Sequence, residues 1–210
     1  MDKVVIGIDQ SYTRTGITVL VDREVFEVYS IDFKGCKNNT EKRITLRGKI
    51  IDIINQAVSE IKSENIIIIC ERIRLRSQGF LSENYIKSTG ALIASIIDIC
   101  YGYNLPVYSV DTRAWKSAII GSSKPLNNPY GINPEKYRTI LYMRDKGLLS
   151  WIAEEYSGRG EKGVIWANRT VRGHKEKVRI KVNDDLADSY CIALYGFLPK
   201  SKQKLKEERF

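Results

Sequence analysis

Four carboxylates stand where they could do chemistry together. Asp9 closes the apolar run "VVIGID" (residues 4–9), Glu71 closes "NIIIICE" (65–71), and Asp185 and Asp188 lie three apart in "DDLADSYCIAL". Residues three apart on a helix share a face. If the two runs are neighbouring parallel strands, Asp9 and Glu71 project at one sheet edge, and a helix packed across that edge would bring all four acids together. Clustered like charges are costly unless cations neutralise them. A hard divalent cation does so with oxygen ligands, and two such ions about 4 Å apart form a clamp for in-line phosphodiester displacement. Magnesium, two ions per site and replaceable by manganese, is the expected metal. Each signal alone has a plainer reading. "GIDQSYTRTG" (7–16) could be only a turn, and Asp184 and Asp185 could simply favour the N-terminal end of a helix dipole. The three motifs together favour the metal cluster.

The elements that must position these residues follow from periodicity. Residues 3–9, 16–22 and 24–33 read as three strands with tight connections, hence an antiparallel meander. An amphipathic helix follows over 43–63, then the continuous apolar strand 65–71, suited to a sheet covered on both faces. Residues 82–104 read as a mostly apolar helix, 105–111 as a fifth strand and "TRAWKSAII" as a short helix. A proline-containing loop spans 121–134, and "EKYRTILYMRDKGLL" returns to helix. "GVIWANRTV" and "KVRIKV" could pair as a hairpin before a last helix over 184–198. A meander running into crossover units predicts an α/β fold, a mixed five-stranded sheet flanked by helices.

Composition narrows the function classes. The 210 residues suit one domain with a real core, here 1–199 with a basic insert at 157–181 and a basic tail at 200–210. No apolar run approaches a membrane span and the N-terminus lacks a signal-peptide layout, so a cytoplasmic location is expected. The four cysteines, Cys36, Cys70, Cys100 and Cys191, form no Cys-x-x-Cys pair, which argues against zinc. The one histidine, His174, lies in a basic segment with nothing near it to suggest a nucleophile triad. Formal net charge is +9, of which the insert carries +6 and the tail +3, leaving the body neutral. A neutral body with two basic extensions suggests a polyanion partner, most simply nucleic acid. Within the insert, Arg169, Arg172, Lys175, Lys177 and Arg179 are candidate phosphate contacts, and Trp166 could stack on an exposed base or anchor the hairpin.

With these motifs the sequence resembles the RuvC family of Holliday-junction resolvases, of ribonuclease H-like fold. The family pattern is an acid after a strand with a glycine seven residues on (Asp9, Gly16), a glutamate closing the central strand (Glu71), and Asp-x-x-Asp with small residues at the last helix (Asp185, Asp188). The resemblance implies a magnesium-dependent endonuclease acting on four-way or other branched DNA. It makes the four acids metal ligands and catalytic residues, and Lys116 in "TRAWKSAIIG" the match for the catalytic lysine, touching DNA. Lys136 matches a second basic residue, and Arg72, Arg74 and Arg76 after Glu71 join the candidate DNA contacts. The chain departs from the family in three places. Gln10-Ser11 stands where Pro-Gly is usual, Arg74 stands where an aromatic contacts the junction centre (Phe80 is the nearest aromatic), and the basic insert is large.

A junction has two-fold related scissile strands, so a homodimer is expected. The helix over 82–104 is its candidate interface, with Gly90, Ala91, Ala94 and Ser95 for close approach and Ile93, Ile96 and Ile97 for apolar area. Three other readings share part of the pattern: another ribonuclease H-like nuclease cutting hybrids or flaps, an actin-like or sugar-kinase-type phosphate binder, and a non-catalytic DNA-binding module. The kinase-like reading needs a second domain and further glycine-rich loops that the sequence lacks, and the presence of all four acids argues against the third.

Overall fold

The computed structural model describes residues 2–60, 65–72, 83–155, 157, 164–171 and 174–208. Strand β1 (Val4–Asp9) lies at the centre. It pairs antiparallel with β2 (Arg14–Val21), which pairs antiparallel with β3 (Glu24–Asp32). On its other side β1 pairs parallel with β4 (Ile66–Glu71), and β4 pairs parallel with β5 (Val107–Val110). The five expected strands are all present in this mixed sheet. A sixth, β9 (Lys206–Glu207), adds antiparallel to β5, so the order is β3-β2-β1-β4-β5-β9.

The pleat decides which face each strand residue serves. Val4, Ile6 and Ile8 of β1 and Ile66, Ile68 and Cys70 of β4 pack under α1 (Asn39–Glu60) and α2 (Glu83–Gly102). The alternate residues, Val5 and Ile69 among them, face the other layer. That layer holds α3 (Thr112–Ile120), α4 (Pro134–Asp145), the one-turn α5 (Leu149–Ile152) and α6 (Asp184–Tyr195). Gly7 and Ile69 are register partners. Two residues further, Asp9 and Glu71 fall in the same phase and reach the α6 side together.

A second sheet, order β6-β8-β7, carries the basic insert. The expected hairpin forms from β7 (Val164–Val171) and β8 (His174–Val182), and the short β6 (Ala153–Glu155) borders it. Ile165, Ile180 and Val182 anchor this sheet to the α6 core. β8 leads straight into α6, whose N-cap is Asn183.

Three details differ from the sequence expectation. α1 begins at Asn39 rather than near 43, because the Asn38 side chain accepts from Glu41 N and Glu41 accepts in turn from Lys37 N. The tail is fastened rather than extended: Gln203 Nε2 donates to the carbonyls of Tyr195, Gly196 and Leu198, and β9 follows. In α2, Ile96 and Ser95 are buried within the chain, Ser95 Oγ accepting from Arg43 Nε, so neither is free to form the dimer interface assigned to them. Gly90, Ala91, Ile93, Ala94 and Ile97 stay at least partly accessible.

The helix that brings the last two acids sits unusually close to the sheet. A Cβ on Gly16 would stand 2.3 Å from the Asp185 carbonyl oxygen, and one on Gly7 would stand 2.3 Å from that of Ser189. Gly16 is also the register partner of Asp9. The glycine seven residues after the acid is therefore the floor on which the α6 N-terminus rests. Gly16→Ala should push α6 outward and cost about 1–3 kcal/mol, lowering the melting temperature by roughly 4–10 °C. A calorimetric scan showing an unchanged melting temperature would contradict this packing.

Candidate active site

The close approach of α6 places Asp185 and Asp188 over the ends of β1 and β4. Asp9, Asp185 and Asp188 are buried, with 5%, 6% and 4% exposure, so their charges need partners. The capping alternative for "DDLAD" is resolved by Asn183, whose Oδ1 accepts from Asp185 N and Leu186 N at 3.2 Å each. The aspartate side chains are left for other work.

Lys136 of α4 reaches into the middle of the group. Its Nζ lies 2.5 Å from Asp185 Oδ1, 3.3 Å from Asp9 Oδ2, 3.8 Å from Asp188 Oδ2 and 3.9 Å from Asp184 Oδ2. Burial works against its charge, but the surrounding carboxylates prevail and raise its pKa. Lys116 of α3 is also buried; its Nζ donates to the Glu135 carbonyl at 2.7 Å and stands 3.9 Å from Asp188 Oδ2. Arg14, at the start of β2, closes the outer side. Its Nε donates to Asp185 Oδ2 at 2.5 Å and its Nη2 to Asp184 Oδ1 at 2.7 Å. Asp185 thus turns one oxygen outward to a guanidinium and the other inward to an ammonium.

Glu71 is held from two sides. Trp115 Nε1, fully buried, donates to Glu71 Oε1 at 3.1 Å. Gln10 makes a reciprocal pair with the Glu71 backbone, its Nε2 donating to Glu71 O at 2.5 Å and its Oε1 accepting from Glu71 N at 3.2 Å. The Gln10 amide extends the β1–β4 ladder past its last backbone pair and fixes the two acid-bearing strand ends to each other. Burial is the main reason the Glu71 carboxyl titrates above its usual range, with the charge of Asp9 adding to it. Burial likewise pushes Asp9 up to about 7 and Asp188 up to about 6, against the pull of Lys136.

The donor set fits a hard divalent cation: four carboxylates, no sulfur or imidazole, and Asp188 Oδ1 buried without a hydrogen-bond partner. Among the described residues no three acidic, His or Cys side chains form a ready-made metal cage. The centre of the cluster holds Lys136 Nζ instead.

The remaining candidates separate by place. Arg72 folds over β5, donating from Nε to Ser109 Oγ at 3.1 Å and from Nη2 to the Ser109 carbonyl at 3.4 Å. Arg74, Arg76, Phe80 and Arg172 lie outside the described residues. In the hairpin, Lys175, Lys177 and Arg179 occupy alternate positions of β8, and Trp166 is the register partner of Arg179. They share one face, in the opposite phase from Ile165 and Ile180, which are buried in the core. Arg169 stands in that opposite phase, paired with Glu176. Cys70, Cys100 and Cys191 are buried and unpaired, as expected of small core residues. No helix among the described residues is long and apolar enough to cross a membrane. Sequence gives no role to Arg14 or Trp115, marks Gln10 only as a departure from the family pattern, and offers Asp184 only as a helix-dipole residue. Gln10 and Arg14 flank the first acid in a turn-like stretch, and only their distant partners reveal their roles.

No protein-family model matches the chain, and no curated protein matches it either. Solved structures do match. Thermus thermophilus RuvC in complex with a Holliday junction substrate aligns with a TM-score of 0.55 at 13% identity, covering 91% of this chain and 90% of that one. The chain has the RuvC fold. A second Thermus thermophilus RuvC structure aligns with a TM-score of 0.53 at 15% identity, over 91% of both chains. The likeness covers nine-tenths of the chain, and the mixed sheet flanked by helices expected from the motifs is the observed architecture.

The upward shifts carry a sign for stability. A carboxyl raised in the folded state binds more protons there than in the unfolded chain, where aspartate titrates near about 4. Its stabilising effect is present at low pH and is lost as pH rises through about 7, the value for Asp9. Asp9→Asn removes a charge that the metal-free fold disfavours. In EDTA the variant should melt higher than wild type at pH 8, and the gap should narrow at pH 5. A variant that melts lower at both pH values would contradict the electrostatic account.

Proposed function

We propose that this protein is a metal-dependent endonuclease that cuts branched DNA, with the four-way junction as its principal substrate. The observation that carries the reading is the convergence of Asp9, Glu71, Asp185 and Asp188 at one sheet edge, within the fold of RuvC. Divalent ions, magnesium or manganese, held by these four carboxylates would supply the Lewis acidity for in-line phosphodiester displacement. The chain's own groups do the rest. Lys136 balances the buried negative charge and, at the cluster's centre, is placed to meet a phosphate oxygen. Lys116 supports Asp188 from behind. Gln10 and Trp115 fix Glu71, and Arg14 fixes Asp185, so that the carboxylates need not reorganise when charge develops on the phosphate.

The basic face of the hairpin supports the DNA reading. Lys175, Lys177, Arg179 and Lys181 recur at every second residue of β8, in the phase opposite the core. Such a row suits a phosphate backbone and binds without reading sequence. Because β8 runs directly into α6 through Asn183, DNA held on this face would be tied in position to two of the four acids. A homodimer through the accessible side of α2, with Ile93, Ile97 and the small residues Gly90, Ala91 and Ala94, would supply the two sites that a two-fold junction requires.

One gel tests the reading. The protein and magnesium are incubated with four-way, flap, RNA–DNA hybrid and linear substrates. The four-way junction should be cut first, in strands of like polarity. Asp9→Asn and Glu71→Gln should lower cleavage by on the order of 10³-fold while junction binding persists. Near wild-type cutting by either variant, or cutting confined to the hybrid, would contradict the proposal.

A further inference from the structure

The loop that follows Asp9 carries an exposed aromatic that the chemistry above does not use. Tyr12 is 38% exposed, while its neighbours are committed: Gln10 to Glu71, and Arg14 to Asp184 and Asp185. The loop itself is fixed. Ser11 Oγ accepts from Arg14 N at 3.1 Å and also donates to the Arg14 carbonyl, and Phe33 N donates to the Thr13 carbonyl at 3.0 Å. The ring has a dedicated support. Lys42 of α1 places Nζ 3.2 Å from the ring centroid and donates to the Tyr12 carbonyl at 3.0 Å.

Lys42 is an unusual support. It is only 8% exposed, and among the described residues it forms no ion pair. Burying a lysine without a carboxylate is costly. The ammonium–ring contact recovers part of that, because a desolvated cation is attracted by the aromatic quadrupole. The fold therefore spends a buried charge on holding one aromatic ring in place three residues after the first acid, on a residue that stays 38% exposed.

We infer that Tyr12 is a stacking platform for a nucleobase next to the scissile phosphate, and that Lys42 is the positioning residue that holds its ring. The inference rests on the nuclease reading and deepens it. An aromatic face binds any base and needs that base unstacked from its neighbour. Its ligand class is an opened or unpaired nucleotide, the kind found at a branch point and absent from an intact linear duplex. Tyr12 would thus favour branched over linear DNA without reading sequence.

The test uses the full chain and a four-way junction with 2-aminopurine at each nucleotide flanking the cut, in EDTA so that no strand is broken. With wild type, the fluorescence at one flanking position should change on binding. Tyr12→Phe should reproduce that change, and Tyr12→Leu should lose it while melting like wild type. Junction affinity should fall roughly 5- to 100-fold for Tyr12→Leu and stay unchanged for linear duplex. Lys42→Met should weaken the fluorescence change. A Tyr12→Leu variant that binds the junction and shifts its fluorescence as wild type does would overturn the inference and leave the nuclease reading standing. A wild-type protein that binds and cuts no branched DNA would overturn both.

Discussion

Burying like charges together is the constraint on which this structure turns. Asp9, Asp185 and Asp188 are nearly inaccessible to water and share one sheet edge with Glu71. Such a group survives only if cations are close, and among the described residues three stand against it: Lys136 at the centre, Lys116 behind Asp188 and Arg14 outside Asp185. Even so, Asp9 and Asp188 titrate well above their ordinary range, chiefly because burial disfavours the charged form. The pull of Lys136 does not fully offset that burial. Under the proposal above, a bound divalent cation would relieve that residual cost.

The rest of the fold can be understood as what keeps the cluster together. The central strand is parallel to β4, which puts two strand ends, and so two acids, side by side. The pleat sends both to the α6 face. Glycines at 7 and 16 let the α6 backbone approach to distances no side chain would allow, and the Thr18 hydroxyl meets Ser189 Oγ at 2.8 Å across the same contact. Asn183 takes over helix capping and frees the aspartates. The basic hairpin ends at that same residue, so the surface suited to a phosphate backbone and the helix bearing two acids are one continuous piece of chain.

Much of this was legible in the sequence, and the reasons are specific. β1 and β4 are uninterrupted apolar runs, so their existence and their terminal acids stand out. The hairpin shows through its alternation of basic and apolar residues in "KVRIKV". What was not legible depends on distant contacts. Gln10 reads as a turn residue, and its reciprocal pairing with Glu71 becomes visible only when the strand ends are neighbours. Arg14 and Asp184 pair across 170 positions of sequence. Strand β9 is two residues long and lies in a stretch whose lysines suggest a solvated tail, so no local pattern announces it. Ile96 looks like interface by composition but is consumed by the core, because an apolar helix does not declare which of its faces has a neighbour.

The central claim is that the four carboxylates are gathered to hold divalent metal. Manganese titrated into the DNA-free protein, with free ion followed by electron paramagnetic resonance, addresses it without reference to cleavage. Wild type should take up manganese at pH 8, and Glu71→Gln should bind it at least about 10-fold more weakly, the scale on which a metal site responds to loss of a supporting group. Equal manganese binding by wild type and Glu71→Gln would contradict the account.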